Sequence, residues 1–261
     1  MRVAIDSSST TNGAPQALVT GGARGIGLAT CRALLASGHA VTAVARTPQD
    51  LAAAADTIRD PRFRTQALDV RDEPGVAQLV DRLAASGPLT AVVAAHGVYP
   101  DARHSLDTDT AAFREVMEIN LVGSFVVARE AARVMRASGG GAIILVGSAN
   151  GLAAERGTSA YNASKAGIHS LAQTLGLDFA ADGIRVVAIA PGWVRTAMTP
   201  PDIGADIDAR RIRFNAQQRI AEPAEVAALA AWLCSPAASY MTGCTVPIDG
   251  GQMAEAPGPW T

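Results

Sequence analysis

Residues 16–36 read QALVTGGARGIGLATCRALLA. The first five residues do not alternate polar with apolar, which is typical of a strand buried on both faces of a parallel sheet. The glycines that follow, Gly21, Gly25 and Gly27, permit a sharp turn and let backbone N–H groups approach a pyrophosphate at the start of the next helix. The stretch therefore predicts a strand, a nucleotide-binding turn that includes Ile26, and a helix. Glycines serving an ordinary tight turn are the alternative.

Further apolar runs follow along the chain. They are AVTAVA (40–45), LTAVVAA (89–95), AIILVG (142–147) and IRVVAIA (184–190), with a more polar RFRTQALDV (62–70) that suits an outer strand and CTVPIDGG (244–251) that closes the sheet. Stretches with helical periodicity lie between them, and residues 109–138 favour one long helix or two abutting ones. Strands that alternate with helices predict an α/β domain with a doubly wound parallel sheet and helices on both faces.

The chain divides into few parts. Residues 1–15 are predicted to be a disordered leader without the character of a signal peptide. Residues 16–261 are predicted to form a single domain, in which the irregular stretch 195–218 has the length and composition of a substrate lid.

Composition excludes several classes of function. A net charge of -2 and 49% hydrophobic residues give a chain with a large core and no basic field for nucleic acid or an anionic membrane. No apolar run reaches the length that spans a bilayer. The three cysteines lack the spacing of a disulfide framework or a zinc site, so we expect no metal, a reducing compartment and a cytoplasmic protein.

The segment YNASK (161–165) contains the only lysine among the 22 basic residues of the chain. Tyr161 and Lys165 are four residues apart and share one face of a helix. A nearby cation favours the phenolate, and an ammonium with three rotatable donors can also bind ribose hydroxyls, which a planar guanidinium does badly. The pair predicts an acid/base tyrosine supported by its lysine. A surface Tyr–Lys pair is the alternative.

Ser148 lies 13 residues before Tyr161, just past a strand's carboxyl end, where α/β sheets place their ligands. Its hydroxyl can donate to a substrate oxygen while the phenol of Tyr161 transfers a proton. A serine that caps a helix or forms a turn is the alternative.

Three motifs, TGGARGIG (20–27), YNASK (161–165) and PGWVRT (191–196), stand in an order and spacing that resemble the short-chain dehydrogenase/reductase family. The resemblance extends over nearly all of residues 16–251, and the TGxxxGIG pattern is that of the branch with shorter chains. It implies a Rossmann-type sheet of seven parallel strands, a nicotinamide cofactor and assembly as a homotetramer. The positive charge of the oxidised nicotinamide would then help Lys165 to lower the pKa of Tyr161.

The resemblance also implies roles for individual residues. Asn120 would hold a water that links Lys165 to solvent, although an asparagine on a solvated helix face is the alternative. Asp69, with Val70 beside it, would accept the adenine amine, or would only form a turn.

The resemblance assigns the segment after the strand at 184–190 to the cofactor and the substrate. Pro191 and Gly192 turn the chain, and Val194 and Thr196 would hold the nicotinamide carboxamide. Trp193 would form a pocket wall beside the nicotinamide or simply pack.

One segment departs from the family pattern. Where Asn-Asn-Ala-Gly is usual, this chain has Ala94-Ala95-His96-Gly97. Gly97 keeps the backbone free to pass the cofactor. His96 either replaces the hydrogen bonds of the missing asparagines or fills space, and we do not place it among the catalytic residues.

Two arginines favour NADP(H) over NAD(H). The second strand ends at Ala45, which offers no acid to the adenosine ribose, and Arg46 follows at once. Arg24 lies in the glycine turn, and two guanidiniums suit a 2′-phosphate. The nearest acids, Asp50 and Asp56, lie further on in the next helix. Two ordinary surface arginines are the alternative.

Together these observations predict an NADP(H)-dependent oxidoreductase. It would move a hydride between the nicotinamide and a carbonyl or secondary alcohol of a medium-sized substrate, with Asn120, Ser148, Tyr161 and Lys165 as the catalytic set. A catalytically idle NADP-binding regulator on the same fold is the alternative from another class.

Overall fold

The computed structural model describes residues 13–100, 102–199 and 215–254. It contains a sheet of seven parallel strands in the order β3-β2-β1-β4-β5-β6-β7, which confirms the predicted doubly wound fold. The strands are β1 (Gln16–Thr20), β2 (Ala40–Ala45), β3 (Phe63–Ala67), β4 (Leu89–Ala94), β5 (Gly141–Val146), β6 (Ile184–Pro191) and β7 (Cys244–Ile248).

Helices connect successive strands and cover both faces of the sheet. The α-helices of the described residues are α1 (Gly25–Ala36), α2 (Pro48–Ile58), α3 (Glu73–Ser86), α4 (Thr110–Met117), α5 (Gly123–Ala137), α6 (Ser159–Asp178) and α7 (Pro223–Cys234). Two of them start at residues that favour a helix N-terminus. Pro48 is the first residue of α2 after Thr47, and the Asp72 side chain accepts a hydrogen bond from the Gly75 backbone at the start of α3.

Alternate residues of each strand enter opposite cores. Leu18 of β1 packs on the face covered by α3, α5 and α6, whereas its neighbours Ala17 and Val19 pack on the face covered by α1 and α7. Both faces are apolar because both are buried, and this is why the strand sequences do not alternate.

Strand β1 lies between β2 and β4. The chain adds β2 and β3 on one side of β1 and then crosses over to add β4 to β7 on the other side, so the strand order reverses at β1. A crevice opens at the carboxyl ends of the strands at such a reversal of strand order, and open α/β sheets bind their ligands there. The fold therefore places the glycine turn after β1 next to the segments that follow β4 and β5.

One strand boundary differs from the expectation, and one helical stretch decides between the two alternatives that the sequence leaves open. Strand β3 ends at Ala67 rather than at residue 70, because the Asp69 side chain accepts a hydrogen bond from the Arg71 backbone at 3.0 Å and turns the chain. The stretch 109–138 is two helices joined by a π-helical turn, Glu118–Val122, which carries Asn120.

Two predicted segments lie largely beyond the part of the chain that the structure describes. The predicted leader has only residues 13–15 inside it, and residues 200–214 of the predicted lid lie outside the described residues. Within the described ranges, no helix is both long and apolar enough to cross a membrane.

Candidate active site

A groove and a cavity meet at the carboxyl edge of the sheet. The predicted residues that line the groove are Gly21, Arg24, Gly25, Ile26, Gly27, Arg46, Asp69, Val70, Gly97 and Thr196. Those that line the cavity include Ser148, Tyr161, Lys165, Pro191, Gly192, Trp193 and Val194. Ile26, Gly97 and Thr196 belong to both walls, so the two spaces are continuous. The structure thus brings together every predicted site residue except Asn120, which lies behind the cavity.

The glycine turn has no room for side chains at two positions. A Cβ on Gly27 would collide with the carbonyl oxygen of Gly21, and a Cβ on Gly21 would lie 2.7 Å from the carbonyl oxygen of Ala95. Gly21 and Gly25 also have φ of 68° and 54°, which L side chains rarely adopt. The groove consequently reaches the N-terminus of α1 unobstructed, as a pyrophosphate requires.

Arg24 and Arg46 flank the far end of this groove, as the sequence predicts. The expectation for Asp50 needs correction, because this residue also lines the groove. Its carboxylate lies 3.9 Å from Nη1 of Arg24, and the Arg24 side chain is 74% exposed. Asp50 sits in the first turn of α2, where its side chain points back toward the strand ends. An anion at this end of the groove would therefore meet two guanidiniums and one carboxylate.

Asp69 is held by its neighbour Arg71. Nε of Arg71 donates to Oδ1 of Asp69 at 3.1 Å and Nη2 donates to Oδ2 at 2.7 Å. This contact, with smaller help from Arg46, holds the pKa of Asp69 below its usual range. The carboxylate keeps lone pairs for another donor, so its assignment to the adenine remains compatible with the turn that it forms.

Tyr161 and Lys165 lie on one face of α6, and both are buried. Nζ of Lys165 is 5.6 Å from the centre of the Tyr161 ring and donates to the carbonyl oxygen of Val146, the last residue of β5, at 2.8 Å. Ser148 follows that strand and hydrogen-bonds with Tyr161. Its Oγ also accepts from the Asn150 backbone at 3.1 Å. Ser148 is therefore a turn residue and a site residue at once, and the surface-pair alternative for Tyr161 and Lys165 fails.

The pKa of Tyr161 differs from the expectation that Lys165 lowers it. Burial raises the pKa of Tyr161 to about 12, the hydrogen bond with Ser148 lowers it in part, and the charge of Glu155 raises it further. Burial also lowers the pKa of Lys165 to about 8. The desolvation of the phenol is thus the largest of these causes. Tyr161 is a neutral proton donor at pH 7 in this structure.

Asn120 is fully buried, which rules out the solvated alternative. Its Oδ1 accepts from the Val98 backbone at 2.8 Å, and its Nδ2 donates to the Val98 carbonyl at 3.0 Å and to Oγ of Ser164 at 3.1 Å. The side chain thereby ties the segment after β4 to helix α6, one residue before Lys165. The structure gives Asn120 a positioning role, and its link to a water stays a prediction.

The PGWVRT segment lies along the wall of the cavity. Val194 is buried and forms a β-bridge with Ala221, which fixes the chain beside the cavity. The methyl group of Thr196 faces Gly25, where a Cβ would lie 3.1 Å from it. Trp193 is half-buried and lines the cavity, which favours a pocket wall over simple packing.

His96 braces the strand end where the family has asparagines. Its Nδ1 lies 2.6 Å from Oγ1 of Thr20 at the end of β1, and its Nε2 lies 3.4 Å from Oγ of Ser124 on α5. Burial, with the charge of Lys165 as a smaller cause, lowers the pKa of His96 to about 4. The imidazole is neutral at pH 7 and replaces the missing hydrogen bonds.

This lowered pKa predicts an acid-labile fold. The folded state excludes a proton that the unfolded chain binds below pH 6.5, so the stabilisation is complete above that pH and is lost as the pH falls toward 4. We expect His96 to remove about 3 kcal/mol from the free energy of unfolding between pH 7 and pH 4. Chemical denaturation at pH 7, 5 and 4 measures this loss.

His96→Asn should flatten the pH dependence, leaving the contributions of His39 and His169, whose pKa values are also lowered by burial. His104→Asn is the matched control, because His104 is exposed. Parallel pH curves for the wild type and His96→Asn would contradict the assignment.

The sequence predicts that residues 98–106 and 149–157, which include Tyr99 and Glu155, line the substrate pocket, and both residues line the cavity. It does not predict the contacts between them. The rings of Tyr99 and Tyr161 meet edge to face with centres 4.8 Å apart, and the Tyr99 hydroxyl donates to Oε2 of Glu155 at 3.1 Å. Nδ2 of Asn150 donates to the same oxygen at 2.6 Å. Tyr99 lies in the segment after β4, and Asn150 and Glu155 lie in the segment after β5. Tyr99 and Glu155 are 56 residues apart, and no spacing rule predicts a contact at that separation.

The sequence analysis also does not single out His169, which lies one helical turn beyond Lys165 on α6. It is buried, and neither ring nitrogen has a hydrogen-bond partner among the described residues. A histidine four residues after the lysine was the available signal. No group of side chains in the described ranges has the composition of a metal site.

These features define a class: a dinucleotide-binding type of fold with a buried tyrosine, a buried lysine and a half-buried serine at its switch point. Comparison with known proteins supplies the family. A family model described as Enoyl-(Acyl carrier protein) reductase matches residues 21–253. Cis-4-hydroxycyclohexanecarboxylate dehydrogenase of Sinomonas cyclohexanicum is 40% identical over an alignment of 246 residues, which covers 91% of this chain and 96% of that protein.

Two further proteins point to the same family. Galactitol 2-dehydrogenase (L-tagatose-forming) of Cereibacter sphaeroides is 36% identical over 90% of this chain and 93% of its own length. The crystal structure of a putative short-chain alcohol dehydrogenase from Sinorhizobium meliloti 1021 superimposes with a TM-score of 0.85 at 35% identity, covering 93% of this chain and 97% of that one. The chain belongs to the short-chain dehydrogenase/reductase family, whose members are oxidoreductases that use nicotinamide cofactors.

Proposed function

We propose that the protein is an NADP(H)-dependent oxidoreductase that interconverts a secondary alcohol and a carbonyl on a medium-sized substrate. The observation that carries this proposal is the meeting of Ser148, Tyr161 and Lys165 in a cavity continuous with the dinucleotide groove. Oxidation of NADPH with a panel of ketones tests it, and also separates it from a catalytically idle NADP-binding regulator.

The residues present fit a nicotinamide dinucleotide. The turn that Gly21 and Gly27 keep free of side chains suits the pyrophosphate. Thr196 lies where the two spaces join, and Val194 lines the cavity. A Cβ at Gly97 would lie 3.5 Å from Nζ of Lys165, so the glycine leaves this space beside the ammonium free for the cofactor ribose. The bound cofactor would supply or accept the hydride.

The chain's own groups handle the oxygen and the proton. In reduction, Ser148 donates a hydrogen bond to the substrate carbonyl, and the neutral Tyr161 protonates the oxygen as negative charge develops on it. Lys165 binds the ribose hydroxyls and, with the cofactor's positive charge, offsets the desolvation of the phenolate that remains. Asn120 holds the segment after β4 and helix α6 in register and takes part in proton refill.

Arg24 and Arg46 lead us to propose NADP(H). We expect a preference over NAD(H) of about tenfold or more in kcat/KM, because charge-assisted hydrogen bonds to a 2′-phosphate outweigh the single carboxylate of Asp50. Replacing Ala45 by Asp together with Arg46 by Gln should erase or reverse that preference. Steady-state kinetics with both cofactors measure it.

A matched control is Arg136→Gln, since Arg136 is 73% exposed and pairs with Asp182 away from the groove. It should leave the preference unchanged. A wild-type enzyme that works better with NADH contradicts the assignment of Arg24 and Arg46.

The names of the two dehydrogenases above, for a hydroxycyclohexanecarboxylate and for galactitol, support an alcohol of ring or sugar-alcohol size as the substrate. The half-buried Trp193 and the exposed Met198 give the cavity an apolar wall, and Glu155 and Asn150 give it a polar one. Assembly as a homotetramer in the cytoplasm completes the proposal. Helices α5 and α6 expose Phe125 and Leu177, the latter to 78%, as subunit contacts would use.

A further inference from the structure

Glu155 places a carboxylate in the wall of the substrate cavity. Its backbone is held firmly, because the carbonyl oxygen of Glu155 accepts from Nδ2 of Asn162 at 2.7 Å and from Oγ1 of Thr158 at 3.2 Å. Both partners lie around the start of α6, the helix that carries Tyr161. The carboxylate is thus fixed relative to the acid/base tyrosine.

The two oxygens of this carboxylate differ. Oε2 accepts from the Tyr99 hydroxyl at 3.1 Å and from Nδ2 of Asn150 at 2.6 Å, whereas Oε1 has no hydrogen-bond partner among the described residues. The Tyr99 and Asn150 contacts fix the orientation of the group without using all of its capacity. An ionised carboxylate is purely an acceptor, so it seeks one more donor.

The charge balance of the cavity limits which donor fits. Among the described residues that line it, only Glu155 and Lys165 carry a formal charge at pH 7. Nζ of Lys165 is turned to the carbonyl of Val146 and, under the proposed function, to the cofactor ribose. After burial, the negative charge of Glu155 is the next cause that raises the pKa of Tyr99. A substrate carboxylate at this wall would be repelled.

We infer that Glu155 determines specificity by accepting a hydrogen bond from a second hydroxyl of the substrate, so that the protein acts on diols or polyols. This inference rests on the proposed function and names the substrate class of the same site. A hydroxyl is favoured over an ammonium because Lys165 already places one cation in this cavity, and a second would be repelled.

The test uses a set of probes built on one ring. These are cyclohexanol, the 1,2-, 1,3- and 1,4-cyclohexanediols, 4-hydroxycyclohexanecarboxylate and 4-aminocyclohexanol, each oxidised by the wild-type protein and by Glu155→Gln with NADP⁺. Each rate is expressed as kcat/KM relative to that variant's own cyclohexanol value. Glutamine keeps the size of the side chain and removes its charge.

In the wild type we expect the relative kcat/KM of at least one diol to exceed that of 4-hydroxycyclohexanecarboxylate by about tenfold or more. This factor corresponds to one charge-assisted hydrogen bond. Glu155→Gln should shrink that ratio by about tenfold. Glu73→Gln should leave it unchanged, because Glu73 pairs with Arg129 and lines neither the cavity nor the groove. Equal ratios in the wild type and Glu155→Gln, a wild-type preference for the carboxylate, or a preference for the amine would each overturn the inference.

A binding measurement separates this inference from the proposed function. Calorimetry with the NADP⁺ complex compares 1,2-cyclohexanediol with cyclohexanecarboxylate in both proteins. If no probe is oxidised although NADP⁺ binds, the proposed function fails. The assignment of Glu155 then stands if the diol binds tighter to the wild type and this advantage falls in Glu155→Gln, and it fails if the two proteins bind alike.

Discussion

Tyr161→Phe should lose about a thousandfold or more of kcat and keep its affinity for NADPH. The substitution removes one hydroxyl from a residue that is buried next to Ser148, and the remaining ring still packs against Tyr99. General acid catalysis by a positioned side chain contributes about 10²–10⁴-fold, and the expected loss lies within that range. Single-turnover kinetics with a reactive ketone measure the chemical step, and quenching of protein fluorescence measures cofactor binding.

Tyr240→Phe is the matched control for this experiment, because Tyr240 is fully exposed and the same hydroxyl is removed. It should retain the wild-type rate. If Tyr161→Phe retains more than about a tenth of the activity, a different group donates the proton, since such a small loss lies below the range of general acid catalysis.

The fold follows from the sequence because burial leaves a clear pattern. Strands β1, β2, β4, β5 and β6 are apolar on both faces, since each face meets a helical layer, and all five were recognisable as runs. The sequence also predicts β3 as an outer strand, but it predicts an end at residue 70, three residues beyond the end at Ala67 in the structure. The turn at Asp69 depends on a side-chain hydrogen bond to Arg71, which hydropathy does not register.

The site was predictable where local spacing fixes geometry. The glycine turn and the pair Tyr161–Lys165 each lie within one element, so positions along the chain translate directly into positions in space. The tie of His96 to Thr20 and Ser124 joins three elements, and the contact of Glu155 with Tyr99 joins two loops. Such contacts depend on tertiary packing, which spacing along one chain does not encode.

The pKa of Tyr161 shows the same limit in energetic form. The sequence reveals a cation four residues away and therefore the attraction that lowers the pKa. It does not reveal how deeply the phenol is buried, and desolvation proves to be the largest cause of the pKa shift. The consequence is a stronger requirement for Lys165 and for the cofactor's positive charge than the sequence alone suggests.

Lys165→Arg should lower kcat/KM by about a hundredfold, although it keeps the positive charge. Lys165 is 4% exposed, and its Nζ reaches the Val146 carbonyl at 2.8 Å in a space bounded by Gly97. A planar guanidinium is wider than an ammonium and cannot occupy the same point. Losing two charged hydrogen bonds of about 1.5 kcal/mol each gives about 3 kcal/mol, which corresponds to the expected factor.

Two measurements distinguish this loss of geometry from a loss of charge or of folding. Lys165→Met removes the charge, and if geometry dominates, Arg and Met should be impaired to a similar degree, with raised Kd for NADPH in both. Thermal unfolding checks that each variant folds. The affinity for NADPH also distinguishes the role of Lys165 from that of Tyr161, because Tyr161→Phe is expected to bind NADPH as tightly as the wild type. Wild-type activity in Lys165→Arg would mean that charge alone suffices, and the retention of the chain's only lysine at this position would then need another explanation.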